Sequence, residues 1–183
     1  MRIAPLFLSA TLAMATGACG ARDADAVPAV AEVDLPRFMG DWYVIGNIPT
    51  WPERDAYDAV ESYALRPDGR IQTTFRYRKG SFDAPLRTMR PVGTVRPGTG
   101  NAVWGMQFLW PFQAEYVITW LAPDYSQVVV ARSKRDHAWI MARTPTISAR
   151  DYQSHVDHLI DLGYSLDKLR KVPQRSQASR AAR

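Results

Sequence analysis

Cysteine and histidine are scarce in this sequence, which has one Cys and three His in 183 residues. A single cysteine excludes an internal disulfide, and it lies too near the N-terminus to serve as a nucleophile in the folded domain. The histidines are His137, His155 and His158, and their scattered positions indicate neither a metal cluster nor a Ser-His-Asp arrangement. A haem-ligand role for His137 is a minor alternative, and we expect no cofactor. These absences favour a binding or structural protein over an enzyme.

The sequence also lacks an apolar run long enough to span a membrane as a helix. Its longest run, residues 3–14, follows Arg2 and is typical of a secretory signal peptide, which we assign to residues 1–18. Small residues lead directly to Cys19. A lone Cys at a signal cleavage site is either a spare thiol or a modified residue, and its position here favours lipid attachment at Cys19. Cleavage to a soluble periplasmic protein is the alternative.

The chain also lacks a large net charge. The formal net charge is +5, but Arg2 falls in the signal peptide and Arg175, Arg180 and Arg183 fall in the C-terminal end. The domain between is close to neutral, so nucleic acid is not an expected partner. We expect residues 173–183 to form a disordered basic tail and residues 19–34 to form a tether. The folded domain would then cover residues 35–172.

Strand-like runs follow one another at short intervals along this domain. They lie near residues 40–49, 57–66, 70–79, 86–96, 101–110, 113–122, 126–133 and 137–143. Turn residues separate them, as in the Pro-Asp-Gly at 67–69 and the Pro-Gly at 97–98. Connections this short join antiparallel neighbours, and closing such a sheet removes its edges. The sequence therefore predicts an all-β fold, an eight-stranded antiparallel up-and-down β-barrel; a two-sheet sandwich would need longer connections.

The pattern changes to helical spacing after the last strand. Ser148 followed by Asp151 is typical of a helix N-terminus, and Gly163 is a natural stop. Apolar residues at helical spacing lie between them at Tyr152, Val156, Leu159 and Ile160. We predict one C-terminal α-helix packed on the outside of the barrel.

The up-and-down topology predicts which residues meet at the closed end. If the first strand runs upward from Gly40, the eighth runs downward and ends at Arg143, beside the start of the first. We therefore expect the Arg143 guanidinium to lie over the indole of Trp42, a cation–π contact worth roughly 0.5–2 kcal/mol. The opposite end, rimmed by the loop at residues 50–56 and by the Trp110-Pro111-Phe112 segment, is then the mouth.

Large apolar side chains alternate along the third, fifth and sixth strands, so each strand presents one apolar face to the interior. The residues that we predict to contact a ligand there are Phe75, Tyr77, Trp104, Met106, Phe108, Trp110, Tyr116, Ile118 and Trp120. Core side chains that simply fill the barrel are the alternative. An exposed apolar rim at residues 110–112 would touch a membrane, a ligand tail or a second subunit, which leaves a homodimer open.

Three short motifs resemble those of the lipocalin family. Gly40-Asp41-Trp42-Tyr43 is similar to the lipocalin G-x-W signature, Pro123-Asp124-Tyr125 to the strand-joining D-Y turn, and Arg143-Thr144-Pro145 to the closing Arg motif. Bacterial outer-membrane lipocalins also share the small-small-Cys lipobox, Tyr-x-Leu-x-x-Asp-Gly at residues 63–69 and Trp-Ile-x-x-Arg-Thr-Pro at residues 139–145. The resemblance implies that Gly40, Trp42, Asp124, Tyr125 and Arg143 are structural-motif residues.

The resemblance also implies a function. It implies binding of fatty acids or lysophospholipids, a lipid anchor on the periplasmic face of the outer membrane, and lipid transport or storage under envelope stress. Gly20 after the cysteine implies delivery to the outer membrane. No catalysis is implied. The alternative is a structural or assembly lipoprotein of the envelope, with a filled barrel and no ligand.

Overall fold

The structure, a computed structural model, describes residues 25–176. The predicted signal peptide, Cys19 and residues 177–183 of the predicted tail lie outside this range. The strands are β1 (Gly40–Ile48), β2 (Ala56–Leu65), β3 (Ile71–Lys79), β4 (Leu86–Met89), β5 (Val92–Val95), β6 (Val103–Leu109), β7 (Phe112–Leu121), β8 (Gln127–Ala131), β9 (Ala138–Ala142) and β10 (Arg170–Lys171). The α-helices are α1 (Leu35–Phe38) and α2 (Ala149–Asp161), and a 3-10 turn occupies Trp51–Glu53.

The strands form a closed antiparallel barrel. From β1 to β9 the strands pair in chain order, except that β4 pairs with β3 alone, and β9 pairs back onto β1. The predicted strand at 86–96 is divided into β4, which pairs with β3, and β5, which pairs with β3 and β6. Pro91 stands at the division, and proline supplies no backbone N–H to a ladder. Because β4 and β5 share one position in the wall, the eight-stranded up-and-down barrel is confirmed.

The closed end is plugged by α1, a four-residue helix that the sequence did not predict. Asp34 caps it by accepting a hydrogen bond from the Arg37 N–H, and a proline stands in its first turn. Phe38, at its last position, is fully buried. Its ring centroid lies 5.0 Å from that of Trp42 and 5.4 Å from that of Trp104. The short helix thus fills the barrel floor with an aromatic ring.

The predicted pairing of Trp42 with Arg143 is confirmed. The guanidinium carbon of Arg143 lies 3.8 Å from the Trp42 ring centroid. Arg143 also donates to the carbonyls of Asp41, at 2.9 Å, and Phe38, at 3.0 Å, and Trp42 Nε1 donates to the Phe38 carbonyl at 2.9 Å. At Gly40, where φ is +97°, an added Cβ would lie 3.3 Å from Arg143 Nη1. Glycine therefore suits both the backbone and the space beside the guanidinium.

The turn at residues 123–125 joins the same floor. Asp124 Oδ1 accepts hydrogen bonds from the Ser126 N–H at 3.0 Å and the Ser126 hydroxyl at 2.6 Å, and these bonds lower the pKa of Asp124. The Tyr125 hydroxyl accepts from the Asp34 N–H at 2.9 Å, and its carbonyl accepts from Arg143 Nε. The turn thereby ties the β7–β8 connection to the segment that enters the barrel.

The predicted outer helix is confirmed in α2. The Ser148 hydroxyl accepts from the Asp151 N–H at 3.0 Å, and the chain leaves the helix at Gly163, where φ is +83°. Val156 and Leu159 face the barrel and share a buried cluster with outward residues of β8 and β9. The final strand β10 then pairs with β1.

The segment at residues 25–34 differs from the expected tether, because it packs on the barrel. Val27 and Val33 are buried, and the N–H groups of Val30 and Val33 donate to the carbonyls of Ile118 and Gly100. An added Cβ at Gly100 would lie 1.9 Å from the Ala31 carbonyl oxygen, so only glycine permits this close approach. The sequence of this segment has no periodicity, so the burial of Val27 and Val33 could not be predicted from it.

The first residues of the expected basic tail are also held in place. Gln174 donates to the carbonyls of Val44 and Ala59 at 2.8 and 2.9 Å. Arg175 forms an ion pair with Asp58 at 3.2 Å, and both side chains are mostly buried. The domain thus continues past residue 172, through Arg175.

Candidate functional site in the barrel interior

The lower half of the barrel interior is filled with aromatic side chains. Trp104 and Tyr116 stack with ring centroids 4.8 Å apart, and the Tyr63 ring lies 5.6 Å from Trp104. Ile118 is fully buried beside them in the same core cluster. Three predicted ligand contacts, Trp104, Tyr116 and Ile118, are therefore part of the packed floor. Of these three residues, only Tyr116 also lines the cavity above.

Above this floor the interior cavity measures about 30 Å³, close to the size of one water molecule. The residues that line it are Glu53, Glu61, Thr73, Phe75, Pro91, Met106, Phe108, Ala114, Glu115, Tyr116 and Trp139. The predicted contacts Phe75, Met106 and Phe108 are among them, and Tyr77 stacks on Phe75 at 4.9 Å. Strand alternation predicts which side chains point into the barrel but not how much volume they leave unfilled. The sequence therefore suggested a larger cavity than the structure has.

The inward position predicted for Trp120 is wrong. Its ring lies 4.5 Å from that of His155 on α2, outside the barrel wall. The pairing of β7 with β8 shifts register between Ile118 and Trp120, and such a bulge reverses which residues point inward. Thr119, which hydrogen-bonds His158 of α2 at 3.1 Å, points to the same outer side.

Trp110 does not line the cavity either. It is 81% exposed at the tip of the β6–β7 hairpin, next to Leu109 and Phe112, which are 73% and 74% exposed. Phe108, which precedes Leu109 in β6, is 55% exposed and borders the cavity. The structure thus has the apolar rim expected at this mouth, with Trp110 as part of the rim.

Three glutamates line the cavity and were missed by the sequence reasoning, and two of them, Glu53 and Glu61, are buried. Glu53, on the 3-10 turn, is 5% exposed and its Oε2 accepts from Asn47 Nδ2, from Trp139 Nε1 and from the Thr50 N–H, at 3.1, 3.1 and 3.3 Å. Burial raises the pKa of Glu53, because the charged form loses its water. The three donors act in the opposite direction.

Glu61 lies in β2, 9% exposed. It accepts a hydrogen bond from the Tyr63 hydroxyl, whose oxygen is 2.7 Å from that of Tyr116. Burial raises the pKa of Glu61 to about 7, and the nearby carboxylate of Glu53 adds to the rise. Burial also raises the pKa of both tyrosines well above the ordinary value, so they remain neutral. A sequence signal existed, since Glu61 shares strand parity with the inward residues Ala59 and Tyr63.

Neither a metal centre nor a membrane-spanning helix is found within residues 25–176. No group of three or more His, Cys, Asp or Glu in that part of the chain is placed to hold a metal ion. Among the described helices, none has the length and apolar character needed to cross a membrane.

Comparison with known proteins agrees with this architecture. The profile of the Lipocalin-like domain family matches residues 33–174. The outer membrane lipoprotein Blc of Citrobacter freundii is 30% identical over 176 residues, covering 95% of this chain and 98% of Blc. Temperature-induced lipocalin-1 of Arabidopsis thaliana is 25% identical over 157 residues, covering 79% of this chain and 81% of the relative.

Solved structures share the fold at low sequence identity. Apocrustacyanin C2 superposes with a TM-score of 0.62 at 10% identity, covering 84% of this chain and 93% of that one. Insecticyanin from the tobacco hornworm Manduca sexta superposes with a TM-score of 0.61 at 16% identity, covering 83% and 86%. Together with the closed barrel, the outer helix and the Trp42–Arg143 floor, these matches show that the chain belongs to the lipocalin family and is of the Blc type.

Proposed function

We propose that this protein is a lipid-binding lipocalin anchored to the periplasmic face of the outer membrane through Cys19. It would store or transport fatty acids or lysophospholipids in envelope maintenance under stress, without catalysis. The observation that carries the proposal is the cavity above the aromatic floor, which has apolar walls and reaches the mouth at Phe108. The similarity to Blc, named an outer membrane lipoprotein, supports the location.

A cavity of about 30 Å³ must widen to admit an acyl chain. Two of its wall residues suit such a change. Met106 has an unbranched, flexible side chain, and Phe108 is 55% exposed and free to swing toward solvent. The floor, by contrast, is packed by stacked aromatic rings and would stay in place.

Binding is tested by titrating the purified protein with a fluorescent fatty acid and a fluorescent lysophospholipid. We expect saturable quenching of tryptophan emission at micromolar or lower concentration. Ala114→Trp should weaken binding by about tenfold or more, because Ala114 is half-buried and lines the cavity, so that the indole would occupy it. Ala64→Trp, on the exposed outside of β2, is the matched control and should bind as the unmodified protein does.

A second candidate function is a structural or assembly lipoprotein with a filled barrel. The observation in its favour is the same small cavity, which at about 30 Å³ has no room for an acyl chain as it stands. Absence of saturable binding for every acyl chain tested would favour this function over lipid binding.

The lipid anchor gives a separate prediction. Cys19→Ser should move the protein from the membrane fraction to the soluble periplasmic fraction, since the acyl chains attached at Cys19 would be lost. Fractionation followed by immunoblotting measures this. Gly20→Asp is the sharper companion, because it keeps the cysteine and should shift the protein to the inner membrane. The resemblance to bacterial lipoproteins implies this, since an Asp after the lipidated Cys holds such proteins there. Continued membrane residence of the Cys19→Ser protein would contradict the anchor.

A further inference from the structure

The polar end of the interior cavity is acidic. Of the described residues that line it, three are glutamates and none is Lys, Arg or His. We propose that this end binds a protonated primary amine, the ammonium head group of a long-chain amphiphile, through Glu61, Thr73 and Tyr116. The inference rests on the proposed function, because it assumes that an amphiphile enters the barrel, and it names the class of head group that goes deepest.

The three glutamates are not equivalent. Glu53 already receives three hydrogen bonds, from Asn47, Thr50 and Trp139. Glu115 receives two from Ser133, at 2.6 and 3.1 Å. Glu61 receives a hydrogen bond from the neutral hydroxyl of Tyr63. A buried carboxylate with so little compensation is stabilised by a cation that brings its own hydrogen-bond donors.

Thr73 gives an independent indication of a ligand. It is 1% exposed on β3 and lines the cavity. Its Oγ1 is buried and has no hydrogen-bond partner within the described part of the chain. A buried hydroxyl without a partner is costly, and a donor placed in the cavity would satisfy it. Thr73 pairs directly with Tyr63 across the sheet, and both Thr73 and Glu61 line the same cavity.

Wall chemistry agrees with an ammonium group. A cavity of about 30 Å³ accepts a small group such as –NH₃⁺, and the three glutamates that line it oppose the head-first entry of a carboxylate or a phosphate, which carry the same charge as they do. Phe75, Tyr116 and Trp139 supply aromatic walls, which attract cations. Toward the mouth, Met106 and Phe108 offer apolar contacts for the alkyl chain.

The charge of Glu61 sets the pH dependence of this site. The titratable groups that face it are Glu53 from the 3-10 turn, Tyr63 from its own strand and Tyr116 from β7. The pKa of Glu61 is raised to about 7, so its carboxylate forms between pH 6 and 8. An alkylamine stays protonated up to about pH 10. Amine affinity should therefore rise with pH across this interval.

The test compares decylamine with decanoate, which have the same chain length, by isothermal titration calorimetry below their critical micelle concentrations. At pH 8 we expect decylamine to bind about tenfold or more tightly than decanoate, since one hydrogen-bonded charge pair is worth about that factor. The preference should shrink at pH 6. Glu61→Gln should remove it at both pH values. Glu32→Gln, which makes the same charge change on the surface, should retain it.

The outcomes separate this inference from the proposed function. Saturable decanoate binding that equals or exceeds decylamine binding would overturn the ammonium site and leave lipid binding intact. Failure of both ligands to bind would overturn both. If Glu61→Gln fails to fold, Thr73→Val decides, because it removes the second acceptor at nearly constant shape and should also weaken decylamine binding severalfold. An amine preference that survives in Thr73→Val and in a folded Glu61→Gln protein would place the amine elsewhere.

Discussion

Trp42→Ala should lower the free energy of unfolding by about 3–5 kcal/mol, the usual cost of truncating a buried tryptophan. Trp42 is fully buried, between the ring of Phe38 and the guanidinium of Arg143. Truncation leaves a cavity, removes the cation–π contact and deletes the hydrogen bond to the Phe38 carbonyl. Urea unfolding of the purified protein, followed by far-UV circular dichroism, measures the loss.

Two further substitutions make this result specific. Trp110→Ala removes the same side chain from a position that is 81% exposed, and it should change the stability by no more than about 0.5 kcal/mol. Trp42→Phe keeps an aromatic ring but not the N–H donor, so it should fall between the two. Equal losses for Trp42→Ala and Trp110→Ala would show that the floor does not depend on this contact.

The Trp42–Arg143 contact was predictable although the two residues are far apart in sequence. Short turns fix an antiparallel meander. When such a meander has an even number of strands and closes, the start of its first strand and the end of its last strand lie side by side at the same end of the barrel. Only the strand count and the strand boundaries were needed. The same topology placed the apolar rim at the mouth, whereas the helix outside the barrel was predictable from its cap and its helical apolar spacing.

The interior was harder to predict because it depends on packing. Alternation assigned Trp120 to the inside, but a bulge after Ile118 reverses the alternation. No residue type in β7 indicates that bulge. The plug residue Phe38 belongs to a helix of four residues, too short to show a period. These features decide how much of the barrel is filled, and with it the size of the cavity.

Glu61 was missed by the sequence reasoning, although strand alternation places it with the inward residues Ala59 and Tyr63. A charged residue at inward parity contradicts an apolar interior, and such a conflict is expected where function overrides stability. The structure shows the cost in physical terms, since the carboxyl is buried in a cavity that no described Lys, Arg or His lines, and its pKa is raised to about 7. Removing the charge should therefore stabilise the protein.

Glu61→Gln should accordingly raise the free energy of unfolding at pH 8 by on the order of 3 kcal/mol, the equivalent of a rise in pKa from 4.5 to about 7. Because the pKa of Glu61 is higher in the folded than in the unfolded protein, the folded state binds more protons between pH 4.5 and 7. The stability of the unmodified protein therefore falls as the pH rises through this window and stays lower above it. Below pH 4.5 the carboxyl is neutral in both states, so the two proteins should differ little.

Urea unfolding of both proteins at pH 4, 6 and 8 measures this difference in stability, with Glu32→Gln as the charge-matched control. A gap that stays constant from pH 4 to pH 8 would mean that Glu61 keeps an ordinary pKa, and that its burial is compensated within the barrel rather than by a ligand.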